Sequence, residues 1–156
     1  MGSSLTRKEL ASWRVFLETA LAMIDIMDAE LQTGCGLSLR WYDVLVHLED
    51  ATEGLRMNDL AGRILASKSG LTRVIDNMDK AGLVRRECPE DDRRTVLVFI
   101  TPDGLATLRS ARECHHASIQ EHFADHLDND QLAALKNALE HIREHVRALR
   151  PGRISS

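Results

Sequence analysis

The chain has 156 residues, three cysteines and a net charge of −4, with 44% hydrophobic and 28% charged residues. That suits one folded domain, or one domain with an added dimerisation layer. The odd cysteine count without paired spacing argues against a disulfide framework, and the chain shows neither a membrane-spanning apolar run nor a signal-peptide core, so a cytoplasmic chain with no membrane partner is expected.

Thr6-Arg7-Lys8-Glu9 reads as a capping box. Leu10, Trp13, Leu17, Leu21, Ile24, Met27 and Leu31 then recur at steps of three or four, predicting an amphipathic helix of about 25 residues. Gly34 and Gly36 end it. Its apolar stripe is longer than a small domain can cover, so part of it is expected to meet a partner chain. Ser38 caps a second helix, 39 to about 50, with Leu39, Tyr42, Val44, Leu45 and Leu48 inward.

The central stretch, 57–101, organises the rest. Asn58 is read as the cap of a short helix carrying Leu60, Ala61, Ile64 and Leu65. A small-residue break at 66–67 precedes a second helix, 68–80, which buries Leu71, Val74, Ile75 and Met78. Gly82 stops it. Two strands follow, 83–87 and the β-branched run 95–101, with a polar tip at 89–92; Arg56 is read as a short third strand. Thr101-Pro102 starts a helix to about His126 that carries Leu105, Leu108, Ala111, Ile119 and Phe123. Asp128 to Gln131 caps a last helix to about Leu149. The fold class expected is mainly α with a small β-hairpin wing, six helices and one hairpin. Two short helices at a tight turn followed by a hairpin form a winged helix-turn-helix.

Charge is uneven. Residues 56–94 hold nine basic and seven acidic side chains, net +2, and the remainder is net −6. The sign is that of a centre touching phosphate between flanks that do not.

Leu60-Ala61, Ser67-Lys68-Ser69-Gly70-Leu71-Thr72-Arg73, Ala81-Gly82-Leu83-Val84-Arg85-Arg86 and Asp92-Arg93-Arg94, in that order and spacing, resemble the core of the multiple-antibiotic-resistance regulator (MarR) family of bacterial transcription factors. The flanking long helices extend the resemblance over most of the chain. It implies a homodimer joined by helices in 5–34 and 102–150, with a DNA-binding lobe at 38–101. It also implies a ligand-responsive repressor of a pseudo-palindromic operator, with no cofactor and no enzyme activity.

For DNA, the exposed face of the 68–80 helix offers Lys68, Ser69, Thr72, Arg73 and Asn77 to the major groove. The fork of Arg73 matches guanine O6 and N7. Lys68, Ser69 and Thr72 suit phosphate positioning. Asn77 suits adenine or backbone. The resemblance places the 88–95 wing at the minor groove or backbone, with Asp92 orienting Arg94 and Arg93 on phosphate. Here the chain departs from the family pattern Asp-Pro-x-Asp-Arg-Arg: it reads Cys88-Pro89-Glu90-Asp91-Asp92-Arg93-Arg94. The tip is longer and more acidic, and which arginine inserts stays open.

The resemblance further implies a small aromatic or anionic effector. Trp13, Phe16, Arg40, Trp41, Asp43 and His47 are the candidates to line its crevice. Trp13, the Arg40/Asp43 set and Glu87-Cys88-Pro89 resemble a urate-responsive branch in part. Cys88 near Arg85 and Arg86 is a candidate reactive thiol. The pairs His122/His126 and His141/His145 have helical metal spacing, but solvated helix faces explain them as well, and no metal site is assigned. No Gly-rich phosphate loop, Gly-x-Ser-x-Gly or His-Glu-x-x-His motif points to an enzyme. The rival to a DNA-binding regulator is a winged-helix protein-interaction module.

Overall fold

The computed structural model describes residues 4–64, 70–89 and 95–149. Helix α1 runs Arg7–Cys35, α2 Leu39–Glu49, α3 Met57–Arg63 and α4 Leu71–Lys80; α5 runs Pro102–His122 and α6 Asn129–Leu149. Strands β1 (Leu55–Arg56), β2 (Val84–Glu87) and β3 (Leu97–Ile100) form one antiparallel sheet in the order β1-β3-β2. Leu55 pairs with Val98, and Val84 with Ile100. The mainly α fold with its small wing is therefore as the sequence predicts, and Arg56 does lie in the short third strand.

Local signals set most boundaries. Thr6 and Glu9 form the capping box: the Thr6 hydroxyl accepts from Glu9 N–H at 3.2 Å and the Glu9 carboxylate from Thr6 N–H at 2.7 Å. The α1 helix continues past Thr33 to Cys35 and ends at Gly36, whose φ of 63° is the left-handed stop a side chain would resist. Ser38 caps α2, Thr101 caps α5, and Asp128 and Gln131 cap α6 reciprocally.

Three expectations need correction. Asn58 is not the cap of α3: β1 runs directly into that helix, so extended Arg56 occupies the cap position with no side-chain bond. The α4 helix begins at Leu71, later than the expected start at 68, because Gly70 sits at φ 80° outside helical space. The α5 helix ends at His122, not His126. Phe123 leaves helical geometry at φ −130°, and a 3-10 turn, Ala124–His126, follows. His122 and His126 therefore do not share one helix face. Leu65 and the expected break at 66–67 lie outside the described residues.

One buried cluster unites the lobe with its flanks. Val44, Leu45 and Leu48 of α2, Leu60 of α3, Ile75 and Met78 of α4, and Val84 and Val98 of the sheet pack with Leu31 of α1 and Leu108 and Ala111 of α5. Each such large side chain contributes about 1.5–3 kcal/mol by leaving water. Val74 and Ala61 are only partly buried at its edge. The N-terminal part of α1 stands apart from it. Of the α1 stripe only Met27 and Leu31 are buried, while Trp13 is 58% and Leu21 55% exposed. The α6 helix buries no residue at all. Between them lies an apolar groove of about 640 Å³, lined by Val15, Phe16, Met23, Phe123, Leu135 and Leu139 among others. Among the described residues no helix is long and apolar enough to cross a membrane.

Candidate nucleic-acid interface

The α4 helix divides cleanly around its axis. Leu71, Ile75 and Met78 are buried and anchor it. Thr72, Arg73 and Asn77 are exposed. At 3.6 residues per turn, Thr72, Asp76, Lys80, Arg73 and Asn77 span an arc of about 140°. Thr72, Arg73 and Asn77 thus lie on the outer side of α4. Lys68, Ser69, Asp92, Arg93 and Arg94 lie outside the described residues.

The wing is tied to this helix. Arg86 of β2 pairs with Asp76 of α4, half-buried on the arginine side. Asp76 is thus not a free member of the outer α4 face; it is bonded to the strand leading into the wing. Arg85 lies 4.3 Å over the Phe99 ring and pairs with Glu87. Cys88 is exposed one residue beyond that strand. The α5 helix is coupled to the end of α4 as well. The Thr101 hydroxyl donates to the Gly82 carbonyl at 2.6 Å, and Thr101 N–H donates to the Leu83 carbonyl at 3.1 Å. These tertiary links escaped the sequence reading, since partners ten and nineteen residues apart follow no helical or strand period.

The expected effector residues fall into two groups. Trp13 and Phe16 sit together on α1, ring centroids 6.0 Å apart and both exposed. Arg40, Trp41, Asp43 and His47 are on α2. There His47 pairs with Asp43 at 3.5 Å, Trp41 packs on the core, and the Arg40 guanidinium approaches within 3.9 Å of where a side chain at Gly70 would begin. The start of α2 is fixed to α1 by Asp28, whose carboxylate accepts from Leu39 N–H at 2.7 Å. Trp13 lies fifteen residues before Asp28, roughly 22 Å along the helix. One chain does not bring the two groups together.

A polar layer joins α2 and α1 to α5. Arg112 makes a two-pronged bond to Glu49, 2.5 and 3.3 Å, which holds the Glu49 carboxyl below the usual carboxylate range. The His115 ring packs tilted against Tyr42, centroids 4.7 Å apart, and burial pushes its pKa down. Among the described residues no three His, Cys, Asp or Glu side chains converge as a metal site.

The chain is similar to known transcriptional regulators. The profile described as "MarR family" matches residues 36–94. AbsC, a MarR family transcriptional regulator from Streptomyces coelicolor, is 39% identical, with a TM-score of 0.82 over 94% of this chain and 99% of that one. Sco3205, a MarR family transcriptional regulator from the same organism solved in complex with DNA, is 29% identical, with a TM-score of 0.86 over 99% and 96%. The HTH-type transcriptional regulator YfiV of Bacillus subtilis is 33% identical over 66 residues, 42% of this chain and 41% of that protein. The chain thus spans less than half the length of that curated relative.

Proposed function

The chain belongs to the MarR family of transcriptional regulators, and from that membership we propose that it is a homodimeric, sequence-specific DNA-binding repressor released by a small aromatic or anionic effector. The observation that carries the DNA reading is the α4 face. Thr72, Arg73 and Asn77 project from a helix whose other side is locked by Leu71, Ile75 and Met78. A rigid helix with a polar outer face fits the major groove, where Arg73 reads guanine. Lys68 and Ser69 join it on phosphates. The 88–95 wing, with Asp92 orienting Arg94 and Arg93 on the backbone, reaches the minor groove or the sugar-phosphate edge. That the relative Sco3205 was solved in complex with DNA supports DNA binding.

Dimerisation is supported by the apolar side chains left in water along α1 and α6. We assign 5–34 and 102–150 to the dimer and 38–101 to the DNA lobe. The dimer also accounts for the divided effector set. Trp13 and Phe16 of one chain and Arg40, Trp41, Asp43 and His47 of the same chain are too far apart to hold one small molecule, so a shared crevice needs α1 of the partner.

Selection from random duplex DNA by the purified protein tests the reading. An enriched pseudo-palindrome with half-sites about one helical turn apart supports it. No enrichment at low salt by a folded dimer replaces it with the interaction-module reading.

A further inference from the structure

Two thiols meet where α1 crosses α5. The Cys35 thiol, on the last turn of α1, donates to the Ser110 carbonyl of α5 at 3.9 Å. The Cys114 thiol, on α5, donates to the Glu30 carbonyl of α1 at 3.9 Å. Each cysteine therefore reaches the backbone of the helix that carries the other. At Gly34, next to Cys35, an added Cβ would lie 2.9 Å from the Cys114 sulfur. Only a residue without a side chain leaves that sulfur its place. Both thiols are free and only partly buried. Two sulfurs aimed across one helix crossing are the starting arrangement for a disulfide.

We propose that Cys35 and Cys114 are an oxidative modification site, forming an intrachain disulfide that ties α1 to α5 and alters DNA affinity; the second half rests on the DNA-binding reading above. The oxidant is a small peroxide, with hydrogen peroxide as the probe. One thiolate attacks the peroxide oxygen, breaking the O–O bond; that sulfur becomes a sulfenic acid, and hydroxide leaves and takes up a proton as water. The second thiolate then attacks the sulfenic sulfur, the S–O bond breaks, and a second water leaves. Two thiols and one hydrogen peroxide give one disulfide and two waters. Burial first, and then the Cys35 thiol, push the Cys114 pKa up. Cys114 is thereby the slower thiolate, and Cys35 takes the first step.

A mechanical route runs along α5. Cys114 lies twelve residues into α5 from Pro102, roughly 18 Å. The helix start is bonded through Thr101 to Gly82 and Leu83, immediately after α4. A covalent tie at the crossing restrains the helix that carries the end of the recognition helix.

The full-length protein is treated with hydrogen peroxide, its remaining thiols are alkylated, and it is digested without reductant. The expected product is a peptide pair joined through Cys35 and Cys114, lighter by two hydrogens and separated by dithiothreitol. Cys35→Ser or Cys114→Ser removes the pair, and Cys88→Ser leaves it. Operator affinity of the oxidised protein changes by at least about fivefold and recovers on reduction. Cys35 and Cys114 remaining alkylatable while exposed Cys88 is oxidised overturns the site, as does their oxidation to separate sulfenic or sulfinic acids. A cross-linked protein with unchanged affinity overturns the coupling to DNA. If the reduced protein binds no DNA, the earlier reading has failed, and the linked peptide still decides the site.

Discussion

Glu30 of α1 and His122 of α5 meet at 2.7 Å across 92 residues of sequence. The Ser118 hydroxyl and the His122 imidazole hold the Glu30 carboxyl below its usual 4.5, and the bond to Glu30, aided by the charges of Glu30 and Glu121, raises His122 above its usual 6.5. The signs follow from linkage. A raised imidazole stabilises the fold fully below pH 6.5 and loses that contribution as pH climbs through the folded value. A lowered carboxyl stabilises it above pH 4.5 and loses that contribution as pH falls through its folded value. The pair therefore acts most strongly between about pH 4.5 and 6.5. Half-buried His115 works in the opposite sense, because its lowered pKa favours the neutral fold above 6.5. Melting temperatures of wild type and Glu30→Gln across pH 4–9 isolate the pair. The difference should be largest inside that window and shrink towards alkaline pH, small throughout because both groups are solvent-accessible. A difference independent of pH would sink the assignment.

Gly104, in the first turn of α5, sets two effects against each other. Helix propensity alone says that Gly→Ala stabilises by about 0.5–1 kcal/mol. But a Cβ at Gly104 would lie 2.1 Å from the Leu83 carbonyl oxygen and 2.9 Å from the Ile100 side chain. Ile100 has rotamers to retreat into; the carbonyl is backbone and already accepts from Thr101 N–H. The clash should win, leaving Gly104→Ala destabilised by about 1–3 kcal/mol. Urea unfolding measures it. A stabilised variant would mean that α5 does not press on the end of α4 as described.

What the sequence made legible was local. Capping by Thr6, Ser38, Thr101 and Asp128 spans only three residues, so spacing reveals it. The Leu71, Ile75 and Met78 stripe likewise points to the opposite face, and with it to Thr72, Arg73 and Asn77. The start of α3 was misread because Arg56 is held in a strand opposite Leu97, and that pairing, not the side chain of Asn58, decides where the helix begins. The end of α5 was misread because the apolar pattern runs on through Phe123 after the backbone has turned. Contacts such as Asp76 with Arg86, or Cys114 with the Glu30 carbonyl, depend on how elements pack, which no periodicity encodes. The effector set suffered similarly: residue type suggested Trp13 and Arg40 together, and the length of α1 separates them.

The exposed stripe on α6 gives a test of assembly. Leu135 and Leu139 line the apolar groove, and Ile142, 56% exposed, continues their line one turn on. Ile142 is outside the buried core, so with Ile142→Asp each chain should stay folded. In a two-fold dimer the change occurs twice. Losing two buried isoleucines costs about 3–6 kcal/mol, roughly 10² to 10⁴ in dimer Kd. Sedimentation should show a dimer for wild type and a monomer for the variant at micromolar concentration, with helical circular dichroism unchanged. An unaltered dimer would place the interface elsewhere.

Arg73 separates reading from charge. If its guanidinium forks onto guanine, Arg73→Lys keeps the positive charge and loses the two-pronged geometry. Preference at one operator position should then fall by about 1–3 kcal/mol, roughly 5- to 150-fold, while the salt dependence of binding stays near that of wild type. Lys68→Ala should behave in the reverse way: affinity drops for every sequence alike, and the salt slope shrinks by about one. Competition binding with operator variants at several salt concentrations reads both quantities together. Should Arg73→Lys lower the affinity for all sequences equally, the exposed face of α4 positions the lobe on phosphate and the base reading moves to Asn77 or the wing. Should it change nothing, α4 is not the helix in the groove.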